Sequence, residues 1–244
     1  MDFMIILYII FGLIPSLTWL FYYLKKDNLP ESKRMILKIF FWGAFMTIPV
    51  LFLQMGLTSL IKNISINPFL ASLIYWFLII SFTEEIFKYF VIKLKVINSP
   101  HLDEPIDVMI YMVVSALGFA AIENILYLFA PSSFSFTDII NRTLALSFIR
   151  FVGATFLHTL CSAIIGYVLA LSLCKLKNRF VYMFLGLFIA TTLHGLYDFS
   201  IIALEGSLKT IVPISILIIL AILTSFGFEK LKEIKSICNL KTEN

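Results

Sequence analysis

Long, unbroken runs of apolar residues dominate the chain, and short polar segments separate them. A helix needs about 20 apolar residues to cross a hydrocarbon layer of roughly 30 Å. Runs of that length lie near 3–24, 36–61, 67–93, 106–130, 141–174, 180–203 and 210–228. They are too long and too continuous for the alternating segments of a membrane barrel. The pattern predicts an all-α, polytopic membrane helical bundle with about seven transmembrane helices, six to eight being within the error of the boundaries.

Composition supports the same class of protein. Hydrophobic residues make up 60% of the 244 positions and charged residues only 14%, and the mean hydropathy is +0.98. These values exclude an ordinary soluble domain. No segment between the runs is long enough for a separate soluble domain. We therefore expect a single integral membrane domain over 1–244, with its intramembrane polar groups in a core near 67–203 and a short basic tail near 229–244.

Lysine and arginine indicate the orientation, because positive residues in short loops stay in the cytoplasm. They concentrate after the first, third, fifth and seventh runs, and the alternate loops hold only Lys62, Arg142 and Lys209. This asymmetry predicts a multi-pass protein of a bacterial-type plasma membrane, with the N-terminus outside and the C-terminus cytoplasmic. The net charge of +4 is explained by this topology, so no nucleic-acid partner is expected.

The third run contains two adjacent glutamates, Glu84 and Glu85, and Lys88 follows one turn later. A charged side chain at mid-bilayer costs about 2.5 to 3.5 kcal/mol on insertion scales, so each needs a partner, a water-filled cavity or a function. A Glu84–Lys88 pair that only neutralises itself is the structural alternative. That pair leaves the second glutamate unexplained.

Three later runs carry further polar groups. The fourth has Glu123 and Asn124 beside small residues that allow a neighbouring helix to approach closely. The fifth has Arg150 and His158, which lie on one slowly turning stripe of polar and small residues at steps of four. Taken singly, Asn124 could be a structural hydrogen bond between helices and His158 a satisfied core histidine. Arg150 favours a functional interpretation, because its permanent charge requires carboxylate neighbours.

The sixth run places His194 and Asp198 one helical turn apart. That spacing suits either two ligands on one metal or an aspartate that orients the imidazole, and a simple hydrogen bond is the structural alternative. A rise of about 1.5 Å per residue puts the carboxylates and imidazoles of four helices within a slab about 15 Å thick. We therefore expect one common site.

The residue types at this site suit the activation of water. A glutamate can accept the proton of a water molecule while another group stabilises the oxyanion formed from a carbonyl. A metal variant would use three ligands, with one position open for water, from the set Glu84, Glu85, Glu123, His158 and His194. The candidate ligands of a Zn²⁺ ion are Glu85, Glu123, His158 and His194. No H-E-x-x-H sequence is present, so these residues leave the choice between the two mechanisms open.

Four segments, "EEIFKYFVIK", "GFAAIENILY", "RFVGATFLHT" and "HGLYDF", together resemble the PrsW family of intramembrane proteases, which is distantly similar to CAAX prenyl endopeptidases and bacteriocin-immunity membrane proteins. The resemblance runs from about Thr83 to Phe199 and keeps the family order. It implies a protease that cuts a single-span membrane protein such as an anti-sigma factor, in regulated intramembrane proteolysis. Its metal dependence stays open.

The same resemblance assigns roles to individual residues. It implies five active-site residues: Glu84, Glu85, Glu123, His158 and His194. It places four others at flanking motif positions: Lys88, Asn124, Arg150 and Asp198. An ion-coupled transporter is the alternative from another class, since buried Glu, Asp and His also build ion pathways. A non-catalytic immunity or assembly protein is the third alternative.

Overall fold

The computed structural model describes residues 2–26, 29–130, 136–174 and 179–234. Its described residues form helices and no strand. The α-helices are α1 (Asp2–Leu24), α2 (Lys33–Lys62), α3 (Pro68–Leu73), α4 (Thr83–Lys95), α5 (Pro105–Phe129), α6 (Phe136–Val152), α7 (Ala154–Cys174), α8 (Arg179–Ala203) and α9 (Leu208–Glu233). A π-helix (Ile74–Phe82) joins α3 to α4. Together they form seven segments long and apolar enough to cross a membrane, which confirms the predicted all-α bundle.

Helix α5 is the centre of the bundle. In its most apolar stretch 94% of the residues are buried, and it packs against α7, α2 and α1. The contact with α2 depends on Gly118, where an added Cβ would lie 2.0 Å from the carbonyl oxygen of Phe40. Small residues permit this close approach of two backbones inside a membrane. Glu123 and Asn124, on the last turns of α5, are therefore held against neighbouring helices.

The third membrane segment is not a uniform α-helix. Nine residues before Thr83 follow the wider π-helical path. The Ser81 hydroxyl donates to the Trp76 carbonyl at 2.6 Å, and the Thr83 hydroxyl donates to the Ile79 carbonyl at 2.5 Å. Short π-helical segments occur often at functional sites. This one ends directly before Glu84 and so sets the direction in which α4 begins.

The fifth membrane segment differs from the single continuous helix that the sequence suggests. It is interrupted at Gly153, so Arg150 lies in the last turn of α6 and His158 lies on α7. A Cβ at Gly153 would lie 2.5 Å from the Tyr197 hydroxyl oxygen of α8, which explains why a glycine fits there. Backbone hydrogen bonds from Gly153 to Ile149 at 2.9 Å and from Leu157 to Gly153 at 2.8 Å still connect the two helices across this interruption.

The predicted basic tail divides between two parts of the chain. Residues 229–233 continue the last helix, and 235–244 lie outside the described residues.

Candidate active site

The structure brings the nine sequence-predicted site residues to one region of the bundle. They come from five helices: Glu84, Glu85 and Lys88 from α4, Glu123 and Asn124 from α5, Arg150 from α6, His158 from α7, and His194 and Asp198 from α8. Glu123 and Asp198 keep partly exposed side chains, and the other seven residues are buried.

Both carboxylate oxygens of Glu85 have partners. Oε1 accepts from Lys88 Nζ at 2.8 Å and faces His194 Nδ1 at 2.9 Å, while Oε2 accepts from the Ser162 hydroxyl at 3.1 Å. The residue is fully buried. Because a carboxylate only accepts, His194 must donate from Nδ1 when Glu85 is ionised. Glu85 therefore fixes the orientation of the His194 ring.

Glu84 is held differently. Its Oε1 accepts from Gln54 Nε2 at 3.2 Å, whereas its Oε2 is buried and has no hydrogen-bond partner among the described residues. Oε2 lies 3.7 Å from Lys88 Nζ, 3.8 Å from His158 Nδ1 and 3.9 Å from His194 Nε2. A buried acceptor without a donor is costly and usually indicates a bound water, an ion or a functional role. This oxygen is thus directed at the space between the two imidazoles.

The two histidines have different partners. Lys88 Nζ lies 2.7 Å from His158 Nδ1, and an ammonium group can only donate, so Nδ1 accepts. His158 then carries its proton on Nε2, which donates to Glu123 Oε2 at 2.7 Å. His194 Nε2 lies 3.4 Å from Asp198 Oδ2, so carboxylates face both nitrogens of that ring. The ring centroids of the two histidines are 5.0 Å apart.

Arg150 contacts two residues of α5 at the edge of the cluster. Its Nη2 lies 2.9 Å from Glu123 Oε2, and its Nε donates to Asn124 Oδ1 at 2.5 Å. The guanidinium carbon lies 4.0 Å from the ring centroid of Tyr127. Asn124 also donates to the Thr155 hydroxyl at 3.0 Å, which ties α5 to α7. These contacts explain how a permanent cation is accommodated in an apolar bundle.

The polar groups line a cavity of about 570 Å³. Glu84, Glu123, His158, His194 and Asp198 contribute to its wall. Three exposed apolar side chains also line it, and we call them its apolar border: Leu126, Ile149 and Ile202. A cavity with a few convergent polar groups and an apolar border is typical of a binding or catalytic site.

Residues 31–225 match the family model described as PrsW family intramembrane metalloprotease. That match covers most of the chain, from α2 into α9. The chain belongs to the PrsW family.

Curated relatives agree with this membership. The chain is 30% identical over 228 residues to Protease PrsW of Bacillus subtilis, a match that covers 93% of this chain and 94% of the relative. It is 28% identical over 207 residues to Protease PrsW of Oceanobacillus iheyensis, covering 85% and 88% of the two chains. It is 30% identical over 195 residues to Protease PrsW of Geobacillus kaustophilus, covering 80% and 79%. No solved structure matches the chain.

The predicted class of activity is thereby confirmed: the protein is a multi-pass intramembrane protease of the PrsW family. Such an enzyme acts on a membrane protein within the bilayer. This result favours the protease over the transporter and the non-catalytic alternatives.

The donor set fits a metal ion, which the word metalloprotease in the family description implies. Glu84, His158 and His194 are buried, and each offers one ligand atom within 4.8 Å of the others. The unpartnered Glu84 Oε2 is an observation that fits an ion at this position. Two imidazoles and one carboxylate are a common ligand set of catalytic zinc. Both oxygens of Glu85 and Oε2 of Glu123 already contact basic groups or Ser162.

A second group of carboxylates, Glu31, Asp103 and Asp107, lies close together at the start of α5. Asp107 Oδ2 accepts from the backbone N–H of Glu104 at 2.7 Å and of Asp103 at 3.1 Å. Tyr111 donates a hydrogen bond to Glu31. The hydrogen bonds to Asp107 cap the first turn of α5, and the one from Tyr111 joins α5 to the segment before α2, so we interpret the group as structural.

The sequence motifs do not include Gln54. It lies on α2, lines the cavity and contacts Glu84. A signal was present, because it is the only glutamine in the chain and stands within an apolar run. Its partner could not be known before α2 and α4 were placed together.

Proposed function

We propose that this protease cleaves a single-span membrane protein, such as an anti-sigma factor, in regulated proteolytic signalling, and that Glu84 activates the attacking water. The observation that carries the mechanism is the buried, unpartnered Oε2 of Glu84, which faces His158 and His194. A general base must lie within hydrogen-bond reach of the proton that it takes. A water between these three side chains meets that requirement.

The proposed reaction uses the groups as follows. Glu84 accepts a proton from water while the oxygen of that water attacks the peptide carbonyl carbon. His194 in its protonated form donates from Nδ1 to Glu85 and from Nε2 to the oxyanion that develops on the carbonyl. Glu84 then gives its proton to the leaving amine, which completes hydrolysis. Glu85 and Glu123 act through the histidines that they orient.

A metal-dependent form of the same site is compatible with these residues. In that form Glu84, His158 and His194 would hold a Zn²⁺ ion, which supplies Lewis-acid polarisation and lowers the pKa of a bound water. This ligand set differs from the one expected from the sequence, because it uses Glu84 in place of Glu85 and Glu123. Lys88 has to leave Nδ1 of His158 before that nitrogen can bind an ion.

The proposed substrate reaches the site from the bilayer. The cavity border at Leu126, Ile149 and Ile202 is apolar and exposed, which suits an apolar segment of a membrane-anchored chain. The choice of an anti-sigma factor rests on the resemblance of the four motifs to the family.

We also propose that the cavity belongs to the outer half of the membrane. Half of its lining residues come from the second halves of α2, α5 and α8, the ends opposite the loops rich in lysine and arginine. With the N-terminus outside and the C-terminus cytoplasmic, those ends face outward. Cleavage is then expected on the outer side of the bilayer centre. Cysteine labelling from each side of sealed vesicles tests the orientation.

The decisive test is cleavage of a single-span anti-sigma factor by the purified protein in liposomes. Glu84→Gln and His194→Ala are each expected to slow cleavage by a factor of about 10² or more while the fold is retained. Loss of activity with a chelator, restored by one metal, supports the metal-dependent form. Full activity in protein shown to be metal-free supports the glutamate mechanism. Cleavage that persists in both variants contradicts the proposed site.

A further inference from the structure

Gln54 connects α2 to the polar site. Among the described residues of α2, its side chain alone forms a hydrogen bond to a glutamate. Its Nε2 lies 3.2 Å from Glu84 Oε1 and 3.2 Å from the Thr83 hydroxyl oxygen. The side chain is partly buried and lines the cavity. Leu51, on the same helix, is exposed and apolar, so the amide stands out from its surroundings.

The hydrogen-bonding capacity of Thr83 determines which end of the amide faces the site. The Thr83 hydroxyl has one hydrogen, and it donates that hydrogen to the Ile79 carbonyl at 2.5 Å. Towards Gln54 it can therefore only accept. Both hydrogens of the Gln54 NH₂ group are then used, one on Thr83 and one on Glu84. An ionised Glu84 is a suitable acceptor for the second hydrogen.

Gln54 forms its hydrogen bond to only one carboxylate oxygen of Glu84, and the other oxygen has no hydrogen-bond partner among the described residues. Gln54 fixes Oε1 of Glu84, and Oε2 faces Lys88, His158 and His194 at 3.7 to 3.9 Å. A carboxylate held at one oxygen cannot rotate about its terminal bond without breaking that hydrogen bond. The π-helix before Glu84 supports the same geometry, since it places Thr83 where it can receive the Gln54 donor.

We propose that Gln54 is a positioning residue for Glu84: its amide holds the carboxylate so that Oε2 faces the reacting water. This inference rests on the proposed function of Glu84 and deepens it. It makes α2 part of the catalytic scaffold, although the sequence motifs begin only at Thr83. Gln54 acts through Glu84 and does not itself take part in the proton transfer.

The test uses Gln54→Met, which keeps the length and approximate volume of the side chain and removes both donors. We expect kcat for a single-span substrate in liposomes to fall about tenfold or more, with KM changed less than about twofold, because a hydrogen bond to a charged group is lost at the reacting centre. Thr58→Val is the matched control. The Thr58 hydroxyl donates to the Gln54 main-chain carbonyl at 2.6 Å, and Thr58 does not line the cavity. The control should keep wild-type kcat and KM.

A second measurement is independent of activity. Gln54→Met should lower the unfolding midpoint in detergent in the wild-type background and lower it less in a Glu84→Leu background, because the contact is already gone there. An equal decrease of the unfolding midpoint in both backgrounds would show that Gln54 and Glu84 are not in contact. If the midpoint decreases less in the Glu84→Leu background but Gln54→Met keeps the wild-type kcat, or raises only KM, the contact exists and the positioning role is wrong. If the wild type leaves its substrate intact, the proposed function fails and the positioning role falls with it.

Discussion

Lys88 Nζ lies 2.7 Å from Nδ1 of His158 and 2.8 Å from Oε1 of Glu85. The ammonium group is fully buried, so its charge is balanced by side chains and not by water. It occupies the nitrogen that a metal would need on His158. The cation of Lys88 and a metal ion therefore compete for the same ligand.

This competition gives the first prediction. Lys88→Met should raise zinc affinity at least about tenfold, because a positive charge near Glu84 and Glu85 is removed and a unit charge at about 4 Å is worth roughly 4 kcal/mol at an effective dielectric of 20. Zinc retained after dialysis against a buffered zinc solution measures the change. Lys95→Met is the control, since Lys95 packs over the Trp42 ring away from the site. If Lys88→Met retains no more zinc than the wild type, Lys88 and the metal do not compete for His158.

The two adjacent glutamates are expected to differ in effect. Glu84→Gln removes the proposed proton acceptor and should slow cleavage by a factor of about 10² to 10⁴. Glu85→Gln keeps the shape of the side chain but weakens the orientation of His194, and should slow cleavage by a factor of about 10 to 100. Initial rates in liposomes, normalised to folded protein, give the comparison. The reverse order would assign the proton transfer to Glu85.

Arg150 is predicted to matter for stability as well as activity. Arg150→Met leaves Glu123 without its cation and should reduce the free energy of unfolding by about 3 to 5 kcal/mol, the cost typical of breaking a buried pair. Arg150→Lys should cost less because the charge remains. Helical signal during titration with a denaturing detergent measures both.

The matched control for Arg150 is Lys230→Met. Lys230 pairs with Glu233 at 3.1 Å, and both side chains are largely exposed. Exposed pairs of this kind contribute little, so the control should unfold like the wild type. A similar loss for the two variants would argue against a special role of the buried pair.

Gly118 provides a test of the α2–α5 contact. Gly118→Ala should destabilise the protein by about 1 to 3 kcal/mol, because the new Cβ would lie 2.0 Å from the Phe40 carbonyl oxygen and the helices must separate. Gly56→Ala is the control on α2, where nothing lies within 4 Å of the added atom. That variant should be neutral or stabilising by up to about 1 kcal/mol. Equal unfolding profiles would show that the helices are not in close contact.

The order of membrane segments could be read from the sequence because lipid imposes a simple rule. Backbone polar groups in a bilayer must be satisfied within the helix, so long apolar runs become spans and their number follows directly. The high cost of buried charge makes residues such as Glu85 and Lys88 visible in the same way. Their gathering into one region was expected on these grounds, and the four motifs added the family.

The local departures from α-helical geometry could not be predicted from the sequence. The π-helix before Glu84 and the break at Gly153 depend on contacts with other helices, such as the Tyr197 hydroxyl beside Gly153. The sequence suggested one stripe from Arg150 to His158, and the structure divides these residues between α6 and α7. Periodicity describes a single helix and carries no information about its neighbours.

By itself, the sequence determined the class of protein, the number of spans and the residues that needed partners. Only the tertiary structure decided which partner each residue has: Lys88 and His194 for Glu85, and Gln54 for Glu84. The reason is physical. Transfer from water to lipid depends on the composition of each segment, whereas a hydrogen bond between helices depends on distances of a few tenths of an ångström that the packing of the whole bundle sets.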